Sequence, residues 1–422
     1  MRIAVVVNTF PPFYAGGAEV SAFHSSRAMQ RLGYEVEILV VSNRATTERD
    51  ERYNYEGLPV HLLHRQRTVR TAWSDLFDPH AYRAVLSEIE TRQFDLLHIH
   101  NVSQSTLAPF VAAKRAKVPV VNTLHDLWLT CANNMRFQAD GTYCDPALFP
   151  DGCGNCYQRY DYWAAVPYRR RLMQRLTDNV ALFLAPSQAI IERHVECGFD
   201  RDRFRLLRLG FEQQPLPAPS HATVRQILAT QNDFHTIVFA GGGTHIKGSS
   251  VVAAALPRLF EQDERLRVVI AGGGDPAVLD QLRHYEPRLQ LLGHVPFQEM
   301  PALFGAADLT LLPSIWHENS PVIIFESFGG GTPVLASRIG GIPELIQEGI
   351  TGFLVPPSDP EALATAVQHF FTLDPTARRR MRHRCVAARQ ALSMARHVAQ
   401  LNAIYHEVTT ATPSHQIALS PT

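Results

Sequence analysis

In the stretch HENSPVIIFESFGGG, from His317 to Gly331, one carboxylate, Glu318, precedes an apolar run and a second, Glu326, stands within it. Asn319 and Ser320 carry N-capping side chains, Pro321 suits a first helical turn, and the glycines from Gly329 stop it, so the segment predicts a short buried helix. Val322 and Ile323 then share a face with Glu326, where an ionised carboxylate is costly unless something hydrogen-bonds it. A ligand is one such partner; a backbone amide or a basic side chain is the other. The unbonded amides near Asn319, Ser320 and Pro321 form an anion site at the helix start. Glu326 lies about 7.5 Å further along the axis at 1.5 Å per residue. A nucleotide's ribose lies about that far from its distal phosphate. Glu326 is thereby placed to accept from ribose hydroxyls, and Glu318 to face the group beyond the phosphate.

Three glycine-rich loops follow strand-like runs. In PPFYAGGAE, Gly16 and Gly17 let backbone amides approach an anion at the start of a helix. The loop is no G-x-G-x-x-G, which counts against hydride chemistry. AGGGTHIKGSS places Gly242 and Gly243 before Lys247 and Gly248, in the order K-G where a Walker loop needs G-K-[ST], so an ATPase is not expected and a phosphate-sized hollow with one cation remains. AGGGD, 271–275, reads equally well as a tight strand-to-helix turn. His100 and His125 close the runs DLLHIHN and VVNTLHD, whereas His98, inside its run, reads as structural. An imidazole at His125 can hydrogen-bond a sugar hydroxyl and ease charge development.

Cys131, Cys144, Cys153 and Cys156 stand within 26 residues, and only the last pair has C-x2-C spacing. A structural zinc, two disulfides and four reduced thiols are all open readings. Four cysteine ligands would leave the metal no open position for chemistry.

The elements that must position these residues are legible as apolar runs. Runs at 2–8, 35–42, 58–64, 94–100, 119–124, 180–186 and 204–209 are mostly continuous rather than alternating, as buried parallel strands are. A linker at 211–222, with three prolines, precedes a second series: HTIVFAGGG, RLRVVIAGGG, LQLLGHVP, LTLLPS, PVLAS and TGFLVPP. The expectation is α/β, two doubly wound Rossmann-like domains, 1–212 and 213–392, facing an interdomain cleft. A cysteine-rich excursion spans 127–160, a helix at 393–408 crosses back to the first domain, and the tail 409–422 is mobile. A hydrophobic content of 45% over 422 residues is enough for two cores. Forty basic residues balance forty acidic ones, so no overall field argues for nucleic acid. No run approaches the ~20 apolar residues of a membrane span, and the N-terminus reads as a strand rather than a signal peptide, so a cytoplasmic protein is expected.

Taken together, FPPFYAGGAEV, TLHD, LAPSQAI, the Lys247-Gly248 pair, LLGHVP, ADLTLLPS and the block from His317 to Pro357 resemble the retaining glycosyltransferases of family 4, which have the GT-B fold. The resemblance implies that Glu326 binds ribose, Lys247 the diphosphate, and the loop at His294 and Val295 the base. Glu318 and His125 then face the transferred sugar. Many relatives carry an Arg about five residues before the Lys. Gly241–Gly243 fill that place here, and either backbone amides or another cation swinging in is expected to substitute for it.

The implied reaction moves a hexosyl unit from a UDP- or GDP-sugar to a glycan or lipid-linked acceptor, with retention and without a catalytic metal or cofactor, in bacterial polysaccharide or lipid-linked glycan assembly. A sugar-nucleotide epimerase or a phosphorylase of the same fold is a competing enzyme, told apart by conversion of donor without acceptor. A non-catalytic nucleotide-sugar sensor is the other, told apart by slow donor hydrolysis. The basic cluster VPYRRRLMQRL, 166–176, suggests either peripheral contact with the inner membrane face or a solvated helix.

Overall fold

The computed structural model describes residues 1–13, 16–42, 50–64, 76–100, 106–138, 144, 160–212, 222–230, 233–296 and 299–411. The chain forms two compact units, Met1–Phe211 with Met394 onward, and Glu212–Ser393.

The first unit is built on β1 (Arg2–Val7), β2 (Glu35–Ser42), β3 (Glu51–Tyr55), β4 (Leu58–His64), β5 (Leu96–Ile99), β6 (Val120–Thr123), β7 (Val180–Ala185) and β8 (Phe204–Leu206). They pair in the order β3-β4-β2-β1-β5-β6-β7-β8, and every pairing is parallel except β3 with β4. That hairpin turns through Glu56 and Gly57, both at positive φ, the geometry that two-residue hairpins prefer. Alternate residues of β1 supply opposite cores, Ala4 and Val6 to one face, Ile3, Val5 and Val7 to the other. The second face is covered by the helices Gly17–Arg31 and Met394–Ala411. Met394, Val398, Leu401, Tyr405 and Val408 of the latter recur at helical spacing and are buried there. His397 fixes the same helix, its Nδ1 bonded to Arg208 O at 2.8 Å and its Nε2 to Ser25 Oγ at 3.2 Å. The expected crossing helix thus lies in the first unit.

The second unit holds β9 (His235–Phe239), β10 (Leu266–Ala271), β11 (Leu289–Gly293), β12 (Leu309–Leu312), β13 (Val334–Ser337) and β14 (Gly352–Val355). All are parallel, in the order β11-β10-β9-β12-β13-β14. The winding reverses between β9 and β12, and in open α/β sheets ligands bind outside the carboxyl ends of the strands at such a reversal. The loops leaving those two strands carry Lys247 and Glu318.

Three expectations fall on other ground. Residues 213–221 of the linker, the tail from 412, and Cys153 and Cys156 lie outside the described residues. Of the basic cluster at 166–176, Arg169 is buried, with Nη1 bonded to Leu129 O at 3.4 Å and Nη2 to Trp128 O, and Arg170 Nε donates to Cys197 O. Two of its arginines therefore serve the protein's own carbonyls, which weakens the membrane reading, while Arg171 and Arg175 are exposed. No described helix is long and apolar enough to cross a membrane.

Candidate active site

At the switch point of the second unit, one carboxylate oxygen gathers three donors. Glu318 is buried, and its Oε1 accepts from Lys247 Nζ at 2.7 Å, Ser314 Oγ at 2.9 Å and Trp316 Nε1 at 2.9 Å. Lys247 Nζ also lies 5.2 Å from the centroid of the Trp316 ring. Lys247 ends the 3-10 turn His245–Lys247, and Gly248 follows with φ +85, where a Cβ would meet Pro313 O at 2.0 Å. Glycine is what lets the two loops touch. Ile315 N donates to Ile246 O at 3.0 Å and ties them together. On the other side Gly341 N donates to Glu318 O at 2.7 Å, and Gly340, at φ +55, has no room for a side chain against that carbonyl. Lys247 and Glu318, read from sequence as contacts to different parts of a donor, thus form one ion pair.

The helix that follows runs Val322–Gly329, capped by Pro321 without a side-chain bond. Asn319 and Ser320 are therefore not its caps, because the helix begins beyond the proline. The hydroxyl of Ser320 is buried and finds no partner among the described residues. Neither does Glu326 Oε1, six residues further on. Burial pushes the Glu326 carboxyl up to about 8, opposed only by the charge of Arg389. Arg389 comes from the helix Pro375–Ala391, with Nε 3.9 Å from where a Cβ on Gly329 would sit. Arg382, two turns earlier on that helix, holds the carbonyls of Ala307, Gly305 and Gly330 at 2.8, 3.1 and 3.4 Å.

The glycine loops depart from expectation. Gly242 N donates to Ala271 O and Gly243 N to Gly273 O, both at 3.1 Å, while Gly243 bridges Gly274. These amides are spent on the neighbouring AGGGD loop and do not stand in for the absent arginine. Gly16 caps the first helix, its N–H donating at 3.0 Å to Glu19 Oε2, so a buried carboxylate of the protein occupies the anion site read there; Gly17 is the helix's first residue. Val295 is buried in the core with Val224, Val238 and Leu303, which leaves only its backbone for a base, and His294 is exposed.

In the first unit, His98 lies on β5, and His100 and His125 lie just past β5 and the adjacent β6. His98 Nδ1 bonds Tyr405 Oη at 2.6 Å and its Nε2 Thr123 Oγ1 at 2.8 Å. The His98 and His100 rings lie 4.1 Å apart, and His100 Nδ1 bonds His125 Nε2 at 3.0 Å with the rings stacked. Burial pushes His98 down to about 3, His125 to about 4 and His100 well below the ordinary histidine range, so all three are neutral near pH 7. Asp126, beside them, is raised by burial to about 6, and its Oδ1 accepts from Trp128 N at 2.9 Å.

Cys131 is a free thiol, raised by burial, and Cys144 is half-buried. Among the described residues no three His, Cys, Asp or Glu side chains are grouped to hold a metal.

Sequence reasoning missed Ser314, Trp316, Gly340 and Arg389. The first two stand in a loop without periodicity, and Arg389 is on a separate helix 63 residues beyond Glu326, so no spacing announces them.

Residues 234–372 match the family model described as glycosyl transferases group 1, and residues 15–213 the model for glycosyltransferase family 4. D-inositol 3-phosphate glycosyltransferase of Corynebacterium efficiens is 31% identical, covering 97% of this chain and 96% of the relative. Its counterpart in Corynebacterium glutamicum is 26% identical, over 96% and 97%. Among solved structures, Anabaena HepE in complex with UDP-glucose superposes with a TM-score of 0.71 at 18% identity, covering 96% of this chain and all of that one. Sucrose-phosphate synthase from Thermosynechococcus elongatus reaches 0.73 at 19% identity, over 97% and 99%.

Proposed function

This chain belongs to glycosyltransferase family 4, and on that premise we propose that it moves a hexosyl unit from a UDP- or GDP-sugar to an acceptor hydroxyl with retention at the anomeric carbon. The observation that carries the donor assignment is the buried Oε1 of Glu326, which has no partner among the described residues. A buried polar atom without a partner calls for an explanation, and ribose hydroxyls would satisfy it. In this reading the entering diphosphate draws Lys247 from Glu318, which leaves Glu318 free to accept from the sugar. The acceptor oxygen forms its bond to the anomeric carbon on the face from which the phosphate oxygen departs. The acceptor proton passes to the leaving phosphate, whose charge Lys247 and the amides at the start of the Val322 helix hold. No step calls on a metal.

The acceptor has two candidates. The corynebacterial relatives are named for D-inositol 3-phosphate, and surface or lipid-linked glycans at the cytoplasmic membrane face are the other class; both offer a ring hydroxyl. Transfer assays with each, using UDP-glucose and GDP-mannose as donors, separate them.

Glu326→Gln tests the donor assignment. An amide is a poorer acceptor for two hydroxyls, so UDP affinity should fall about tenfold, the cost of roughly one charged hydrogen bond, while the fold persists. Unchanged affinity in a folded variant removes Glu326 from the donor site.

We also propose a structural zinc held by Cys131, Cys144, Cys153 and Cys156, supported by four cysteines within 26 residues and the C-x2-C spacing of the last pair. Metal content of protein purified without chelator checks it. One zinc per chain is expected; four free thiols without metal, or two disulfides, end it.

A further inference from the structure

The donor assignment leaves unexplained why two further buried histidines stand behind His125. A neutral imidazole offers one donor and one acceptor, so in the 3.0 Å contact between His100 Nδ1 and His125 Nε2 only one ring donates. Were it His125, His100 would carry its proton on Nε2. That nitrogen is sealed from solvent and has no partner among the described residues. Buried orphan N–H groups are rarer than under-satisfied acceptors, so the less costly arrangement has His100 Nδ1–H donating and its Nε2 bare.

We propose that His100 is a positioning residue that fixes His125 as the Nδ1–H tautomer, so that His125 meets the transferred sugar as a hydrogen-bond donor and not as a base. This rests on the reading of His125 as a sugar contact. The ring behind supports the assignment. A phenol is a stronger donor than an aliphatic hydroxyl, so Tyr405 Oη donates to His98 Nδ1, and His98 Nε2–H donates to Thr123 Oγ1. Both nitrogens of His98 are then committed and none competes for His100. Burial keeps all three rings neutral, so no imidazolium supplies a second proton to the His100–His125 contact. His125 Nε2 is occupied as an acceptor, and Nδ1–H, which has no bond to a described residue, remains to donate to a sugar hydroxyl. The acceptor's proton then has no histidine base to go to and passes to the leaving phosphate oxygen.

The tautomer is read directly from side-chain nitrogen shifts in protein labelled with 15N-histidine, with His125→Gln assigning the signals. The expected pattern at pH 7 is His125 protonated on Nδ1 and bare on Nε2. Protonation on Nε2, or on both nitrogens, overturns the proposal. His100→Asn, whose amide can donate in the same place, should keep the Nδ1–H form; His100→Phe should release His125 to the Nε2–H form. In the Phe variant UDP release from UDP-glucose should slow about tenfold, the cost of one hydrogen bond, with UDP affinity unchanged. An unchanged tautomer in His100→Phe also overturns it, and if that variant fails to fold, the wild-type and Asn spectra decide. The spectra need no substrate. The expected tautomer in a protein that turns over no nucleotide sugar would reject the proposed function and His125's contact with a sugar, and leave the tautomer that His100 fixes standing.

Discussion

Glu326 is held near neutrality by its surroundings until something enters to pair with it. Burial raises its carboxyl to about 8, whereas hydroxyls of a ribose donate best to the ionised form. Binding therefore draws on ionisation, and UDP affinity should strengthen as pH rises from 7 through 8 and level off above it. A titration of UDP affinity against pH checks this, with Glu326→Gln expected to be flat. Glu326, Glu318 and Lys247 were legible because charged residues among glycines and apolar runs stand out in sequence. Their pairings were not. Lys247 and Glu318 are 71 residues apart and meet only because β9 and β12 are neighbours in the sheet. Trp316, whose Nε1 donates to Glu318, stands in a loop where no spacing marks it.

The elements were read most faithfully where burial writes a continuous apolar run, as in β1, β9 and β10. β3, ERYNY, escaped because it is a polar edge strand alternating between half-buried and exposed positions. The helix at Val322 was begun too early because Asn319 and Ser320 look like caps, yet Pro321 already holds an extended backbone. The paired AGGG loops show a different limit. A glycine run suggests an anion hollow, but here the glycines let two loops interlock backbone to backbone. Gly242 has φ +55, and a Cβ there would lie 1.9 Å from Gly273 O. Gly242→Ala should destabilise the second unit by about 2–3 kcal/mol, against little change for Gly273→Ala, where nothing lies within 4 Å. Urea unfolding of the two variants makes the comparison.

Across the whole molecule, the histidine array sets an acid limit on stability. His98, His100, His125 and His397 all titrate below their ordinary value because burial disfavours the charged ring. The unfolded chain therefore binds more protons than the folded one as pH falls from about 6.5 towards 4. Stability is full above that window and is lost through it. Each histidine contributes a slope of up to roughly 1.4 kcal/mol per pH unit. Urea midpoints at pH 7 and pH 5 should differ for the wild type, and by less for His397→Gln. An unchanged difference would mean that His397 is not held neutral.

The return of Met394–Ala411 to the first unit also sets a timetable. Ribosomal synthesis proceeds from the N-terminus, so the strands of the first unit emerge long before the helix that covers one face of them. The whole of Glu212–Ser393 is made in between. Val5, Ile38 and Val40 share that face with the early helix Gly17–Arg31, and its cover is complete only with Leu401, Ile404 and Tyr405. During that interval the nascent first unit keeps part of its apolar face exposed, and the second unit, finished earlier, is the part of the chain able to mature first.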